Sequence, residues 1–378
     1  MIASGCFVLC YPDKSDDDGG VKTKKPRYSR ITQQELHAQK PVLTKVWVTL
    51  VFLITSLILI PVGVVCLIYG LQAHEIVTRY DNCKMSGETD ALTSNSDIQQ
   101  FLWQNAGDSK ALSCQIVVSI DKDMKGPLYL YYEIHGLYQN HRRYVRSHVD
   151  LQLAGQGGWQ GYVNDQTQSQ SCVPILNNAY GNQINPCGLV AWSLFNDTYH
   201  VKYHQRNSKQ NVSSLAYVDL PATGIAFQSD ITYRFANYTP QNFQPDLASW
   251  GGGGNITGTL KEDQRFQNWM RLSHMPKFRK LWAVWQDVDL VAGDTLYITV
   301  VNQYNTFSFN GQKHFVISTT NWLGGNNYTL GVTYLVAGGT SLLFALAYLM
   351  VTLIKPRKFA DTSRLKRGAT YKIPFAVK

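Results

Sequence analysis

Apolar residues run without interruption through two stretches, 46–69 and 329–354, and neither contains a charged side chain. A helix rises about 1.5 Å per residue, so each stretch is long enough to cross a hydrocarbon layer of about 30 Å. The pattern predicts five segments: a tail over 1–45, a membrane helix over 46–70, a large domain over 71–328, a second membrane helix over 329–354 and a tail over 355–378. Pro61, followed by Gly63, predicts a kink in the first span.

Between the spans the period changes. Segments 115–120, 127–134, 224–235, 294–305 and 314–320 are β-branched or aromatic runs bounded by Gly, Pro, Asn or Asp, and they read as strands. In the last three, apolar residues recur at nearly alternate positions, as at Leu296, Ile298 and Val300, which predicts an antiparallel sheet buried on one face. A helix is expected over 262–273, carrying Phe266, Trp269, Met270 and Leu272. Segments 155–185 and 251–254 read as loops. The expected fold class is a membrane protein with two transmembrane helices flanking a mainly-β exoplasmic domain.

Charge sets the orientation. Residues 1–45 hold eight Lys/Arg against five acids and residues 355–378 hold eight against one, so these excesses of +3 and +7 leave a net −1 for everything between, out of +9 in total. Basic tails beside apolar spans are the positive-inside signature, so both termini are expected in the cytosol. The basic balance therefore carries no argument for nucleic acid. The first eleven residues lack the charged start and apolar run of a cleavable leader, and the first span is expected to act as an uncleaved signal anchor.

Of seven cysteines, Cys83, Cys114, Cys172 and Cys187 fall between the spans, an even number in a compartment where disulfides persist. Four cysteines allow three pairings; pairing of sequence neighbours, Cys83 with Cys114 and Cys172 with Cys187, is favoured. Cys6, Cys10 and Cys66 are expected to be ordinary thiols, the first two cytosolic. Asn-X-Ser/Thr signals occur at Asn196, Asn211, Asn237, Asn255 and Asn327, and none lies in a tail. The first four are candidate glycosylation sites; Asn327 sits too close to the second span for easy access.

Catalytic chemistry has no motif here: no phosphate loop, nucleophile elbow, HExxH or zinc-type cysteine pair is present. His200 and His204 have helical ligand spacing, but Tyr199, Val201 and Tyr203 alternate as a strand would, which sets the two rings about 13 Å apart. Glu133, His135 and His141 cluster in sequence and read as hydrogen-bonded residues of a strand and turn. No enzyme, metal or cofactor is expected. Neither span carries an ionisable residue, as a transport pathway would require. Ala337, Ser341 and Ala345 instead form a small-residue face that suits helix docking. Arg142, Arg143 and Arg146 supply planar donors for acids of a partner or of a neighbouring turn. Arg271, Lys277, Arg279 and Lys280 are expected at the surface, and Trp269, Met270, Phe278, Leu281 and Trp282 in the core. An accessory membrane subunit fits these features; the alternative is a two-span subunit of a ligand-gated ion channel.

Longer motifs carry a resemblance. LYLYYEIHGLYQNHRRYVRSHVDLQL (128–153), INPCGLVAWSLFNDT (184–198), GIAFQSDITYRF (224–235), FQNWMRLSHMPKFRKLW (266–282) and WLGGNNYTLGVTYLVAGG (322–339) resemble the cell division control protein 50 family, the ligand-effect modulators. RYSRITQQELHAQKPVLT (27–44) and IPVG (60–63) extend the likeness over most of the chain. The resemblance implies an antiparallel β-sandwich ectodomain with helical additions, and the role of non-catalytic β-subunit of a type IV P-type ATPase that moves phospholipids. It further implies a heterodimer with the catalytic subunit, contact with membrane lipids, and residence along the endoplasmic reticulum, Golgi or endosomes and plasma membrane. Cys172 and Cys187 fall on the family's late disulfide, and Asn196 on a family glycosylation position. The region before the first strand departs from the animal pattern, holding only Cys83 and Cys114.

Overall fold

A computed structural model describes residues 44–86, 94–105, 108–155, 170–178, 180–241, 256 and 258–356. Asn255, Cys6, Cys10, the 251–254 glycine run and nearly all of both tails lie outside the described residues. Two compact units are present: 52–344, which holds the β domain and most of both long helices, and a second containing 44–51 and 345–356.

The first apolar stretch forms helix α1 (Lys45–Gln72), which contains Pro61. The second forms the last helix, Thr329–Ile354. Only 17% and 11% of their most apolar windows are buried, so they are not core helices of a soluble domain; their large side chains, such as Leu57 and Leu353, point outward as lipid-facing residues do.

Nine strands lie between them among the described residues: β1 (Glu75–Arg79), β2 (Ser113–Ser119), β3 (Met124–Lys125), β4 (Leu128–His135), β5 (Thr198–His204), β6 (Lys277–Trp285), β7 (Asp289–Leu290), β8 (Thr295–Val301) and β9 (Gln312–Thr319). A four-stranded sheet runs β1-β9-β4-β6, a three-stranded sheet runs β2-β8-β5, and β3 pairs β7. All these pairings are antiparallel. Alternation in the sequence becomes one-sided burial: Cys114, Ile116 and Val118 of β2 face inward and Gln115, Val117 and Ser119 outward.

The two larger sheets face one another across an aromatic core. Tyr199 of β5 meets Trp282 of β6 edge-on at 5.0 Å and Phe315 of β9 at 4.8 Å between ring centroids. Tyr132 of β4 stacks on Phe195 at 3.8 Å. Rings of this size remove large apolar areas from water and favour such offset and edge geometries. The expected sandwich is therefore present.

Short helices decorate it: α2 (Asn95–Gln104), α3 (Arg142–Val145), α4 (Asp150–Leu153), α5 (Leu189–Trp192) and α6 (Gln264–Trp269). Helix α6 is shorter than its apolar spacing predicts. Asp263 caps its start by accepting from the Phe266 N–H at 2.9 Å. At its other end the Lys280 ammonium reaches up from β6 and donates to the carbonyls of Asn268 and Arg271, which closes the helix. Lys280 is thus buried rather than at the surface, and burial lowers its pKa to about 8.

Segment 224–235 is not a strand. It forms a loop ending in a π-helical turn, Asp230–Arg234, because side chains satisfy its backbone donors: Gln264 Oε1 accepts from the N–H groups of Ile225 (3.0 Å) and Ala226 (3.3 Å). Buried Asp230 then pairs with Arg271 at 2.5 and 3.1 Å, which anchors an arginine whose side chain is still partly exposed.

Candidate functional site

Three of the long motifs converge on one surface of the domain. Helix α3 is pinned by its inward residue, Tyr144, whose hydroxyl lies 2.6 Å from Ser193 Oγ beyond α5. Ser147, just past α3, accepts from the Leu189 N–H through its hydroxyl at 2.8 Å and from the Val190 N–H through its carbonyl at 3.3 Å. Gly188, at φ +102°, makes that approach feasible: a Cβ there would stand 2.2 Å from the Ser147 carbonyl oxygen. The third motif closes the ring, with Trp269 Nε1 donating to the Val190 carbonyl at 2.8 Å and the Ser273 N–H donating to Gln139 at 2.9 Å.

With Tyr144 turned inward, Arg142, Arg143 and Arg146 turn outward. All three are exposed, and among the described residues none forms an ion pair within the chain. Tyr138 and Met275 are also exposed, 60% and 67%. Exposed guanidinium groups on a pinned scaffold have the planar donors that carboxylates or phosphates accept. His141, at the start of α3, is exposed and is not grouped with Glu133 and His135.

The cysteines lie at bonding distance in two pairs, Cys83 with Cys114 and Cys172 with Cys187. The second staples the turn that holds Gly188, and Gln152 Oε1 accepts from the Cys187 N–H at 2.9 Å. Cys66 is a buried free thiol in α1. Among the candidate glycosylation residues, Asn211 and Asn237 are exposed and Asn196 is half-buried.

The spans enter the domain side by side because β1 and β9 are neighbours. His74 and Thr319 bond backbone to backbone at 2.9 Å, and Asn321 Nδ2 donates to the Tyr69 carbonyl at 2.5 Å. Tyr69 and Trp322 meet edge-on at 5.3 Å, with Trp322 69% exposed, the aromatic arrangement typical of a membrane–water boundary. Farther in, glycines allow the two helices to touch: a Cβ on Gly331 would stand 2.6 Å from the Leu67 nitrogen, and one on Gly338 would meet Ile60 at 2.8 Å. Gly331 and Gly338 therefore seat the chain's own two helices. Ala345, seven residues past Gly338, is buried, while Ala337 and Ser341 are half-buried on the flank.

A charged centre that the sequence did not disclose sits in the core. Lys313 is fully buried and donates to Asp197 at 2.7 Å, to the Tyr304 carbonyl at 2.6 Å and to Asn302. Asp197 also accepts from the Gln303 and Tyr304 N–H groups and from the Tyr80 hydroxyl. Burial lowers the lysine's pKa while the Asp197 charge opposes it.

A second cluster lies on the outer face of the four-stranded sheet. Arg279 of β6 joins Glu75 of β1 to Glu133 of β4, and His135 Nε2 lies 2.6 Å from Glu133 Oε1. Arg279 and Lys277 are exposed, as expected, and both also pair with the buried Glu133. His314 of β9 stacks on His135 at 4.5 Å, and one donor atom from each of Glu133, His135 and His314 lies within 4.8 Å of the others. His200 and His204 point to one face of β5 and are not part of any such group among the described residues.

Two helices long and apolar enough to cross a membrane, with a disulfide-stapled β-sandwich between them, define a two-span membrane protein with one large folded domain. The chain belongs to the LEM3 (ligand-effect modulator 3) family / CDC50 family, whose profile matches residues 66–358. It is 40% identical to ALA-interacting subunit 3 of Arabidopsis thaliana over 91% of this chain and 90% of that protein. It is 29% identical to the phospholipid-transporting ATPase accessory subunit LEM3 of Saccharomyces cerevisiae (91% and 87% covered) and 29% identical to cell cycle control protein 50A of Bos taurus (91% and 96%).

Proposed function

We propose that this chain is the non-catalytic accessory subunit of a phospholipid-translocating type IV P-type ATPase, needed for the pump's folding, its export from the endoplasmic reticulum and its activity. The observation that carries this reading is near full-length similarity to a phospholipid-transporting ATPase accessory subunit. The ion-channel alternative has no such support.

Both termini face the cytosol in this reading, and the β domain is exoplasmic, with glycans on Asn196, Asn211, Asn237 and Asn255. The complex moves through the secretory pathway to Golgi, endosomal or plasma membranes. Arg142, Arg143 and Arg146 pair with acids on exoplasmic loops of the pump. Ala337, Ser341 and Ala345 form the small-residue face on which a pump helix docks. ATP hydrolysis belongs to the partner.

Affinity purification of the full chain from its own cells in mild detergent tests this, with mass spectrometry of the bound proteins. A P-type ATPase in about equal amount is the expected result. Recovery of the chain as a homotrimer without an ATPase overturns it.

A further inference from the structure

We propose that Glu133, His135 and His314 form an exoplasmic-domain site for a borderline divalent cation, Zn2+ being the fitting ion. This inference does not rest on the flippase reading. Glu133 and His314 are directly opposed across the β4–β9 pair, and His135 follows two residues later on the same face of β4. One donor atom from each of the three lies within 4.8 Å of the others. Ligands bound tetrahedrally at about 2.0–2.1 Å stand about 3.3 Å apart, so no pair need close by more than about 1.5 Å, a side-chain adjustment. The Glu133–His135 contact at 2.6 Å is already inside that spacing.

The surroundings suit a metal ligand set. Arg279 engages Glu133 Oε2, leaving Oε1 turned toward the His135 imidazole, which is how outer-shell donors orient a ligating carboxylate. The charge of Arg279 is itself met by Glu75, at 2.6 and 2.7 Å. His314 Nδ1 is buried without a partner in the protein, an unmet polar atom of the kind that marks a binding site. Lys277 Nζ lies 3.3 Å from Oε1 and competes, but its side chain is 62% exposed on a flexible stem and free to swing away. Two imidazole nitrogens and one carboxylate oxygen select Zn2+ over Mg2+ or Ca2+, which take oxygen ligands. Three protein ligands leave a fourth position for water.

The test uses the full-length chain, tag removed, in detergent after chelator treatment and dialysis. Titration with Zn2+ alone, read by calorimetry and by metal content after gel filtration, is expected to show one ion per chain. His135→Ala and His314→Ala should each weaken binding by about tenfold or more, while millimolar Mg2+ leaves it unchanged. Lys277→Ala should tighten it, since it removes the competing cation without removing a ligand. Thermal melting in the absence of metal confirms that each variant is folded. Absence of stoichiometric uptake by the wild-type chain overturns the proposal, as does binding that survives both histidine substitutions.

Discussion

Lys313 and Asp197 show how much a single buried pair governs here. Replacing Lys313 with Met leaves the Asp197 carboxylate charged and deprived of its counter-ion, a change that costs about 3–5 kcal/mol. Thermal melting of the detergent-solubilised variant should show that loss, together with poor export. Asp294 gives a milder case with a pH signature. Burial raises its pKa, but donation from the Val291 and Arg206 N–H groups and the Tyr203 hydroxyl outweighs this and holds it below the usual carboxylate value. A depressed folded-state pKa contributes stability above the unfolded value, about 3.9, that is lost as pH falls through the folded one. Asp294→Asn should therefore cost about 1.5–3 kcal/mol near neutrality and flatten the decline in stability below about pH 4, as followed by melting across an acid series. Neither pair was legible in the sequence, because Lys313 lies 116 residues from its partner Asp197 and Tyr203 lies 91 from Asp294.

At the scale of elements, β-branched and aromatic runs bounded by breakers located β2 and β4, and alternation located β8 and β9, since a period of two survives where one face is buried more than the other. It failed at 224–235, where apolar alternation is present but Gln264 and Asp230 draw the backbone into a turn. It also left β6 as an undefined core segment, because Lys280 and Arg279 sit among apolar residues and only α6 and Glu133 reveal what those charges answer. The clamp between Gly188 and Ser147 joins two motifs into one surface. Gly188→Ala should break it: the positive φ costs about 1–2 kcal/mol and the contact with the Ser147 carbonyl adds to that. A lowered melting temperature, with the Arg142 surface becoming protease-sensitive, is the expected readout.

At the scale of the whole molecule, the proposed function is one of presenting surfaces to a partner. Two spans feed adjacent strands, so the domain is tied to the membrane at one edge while α3 offers its arginines elsewhere on the same rigid sandwich. Changing Arg142, Arg143 and Arg146 together to Glu should leave the melting temperature nearly unchanged, since exposed unpaired residues contribute within about 0.5 kcal/mol each. Co-purification of the ATPase should fall several-fold in that variant. Unchanged recovery would remove this surface from the proposed interface.

Sequence alone determined the two membrane helices and the β character of what lies between them, because hydropathy and periodicity are local quantities that burial writes directly into consecutive residues. Tertiary structure decided which distant residues became neighbours. Lys313 meets Asp197, Gly188 meets Ser147, and His314 meets Glu133 and His135 only through sheet order and strand register. Those depend on the packing of the entire sandwich, and no short stretch of chain encodes them.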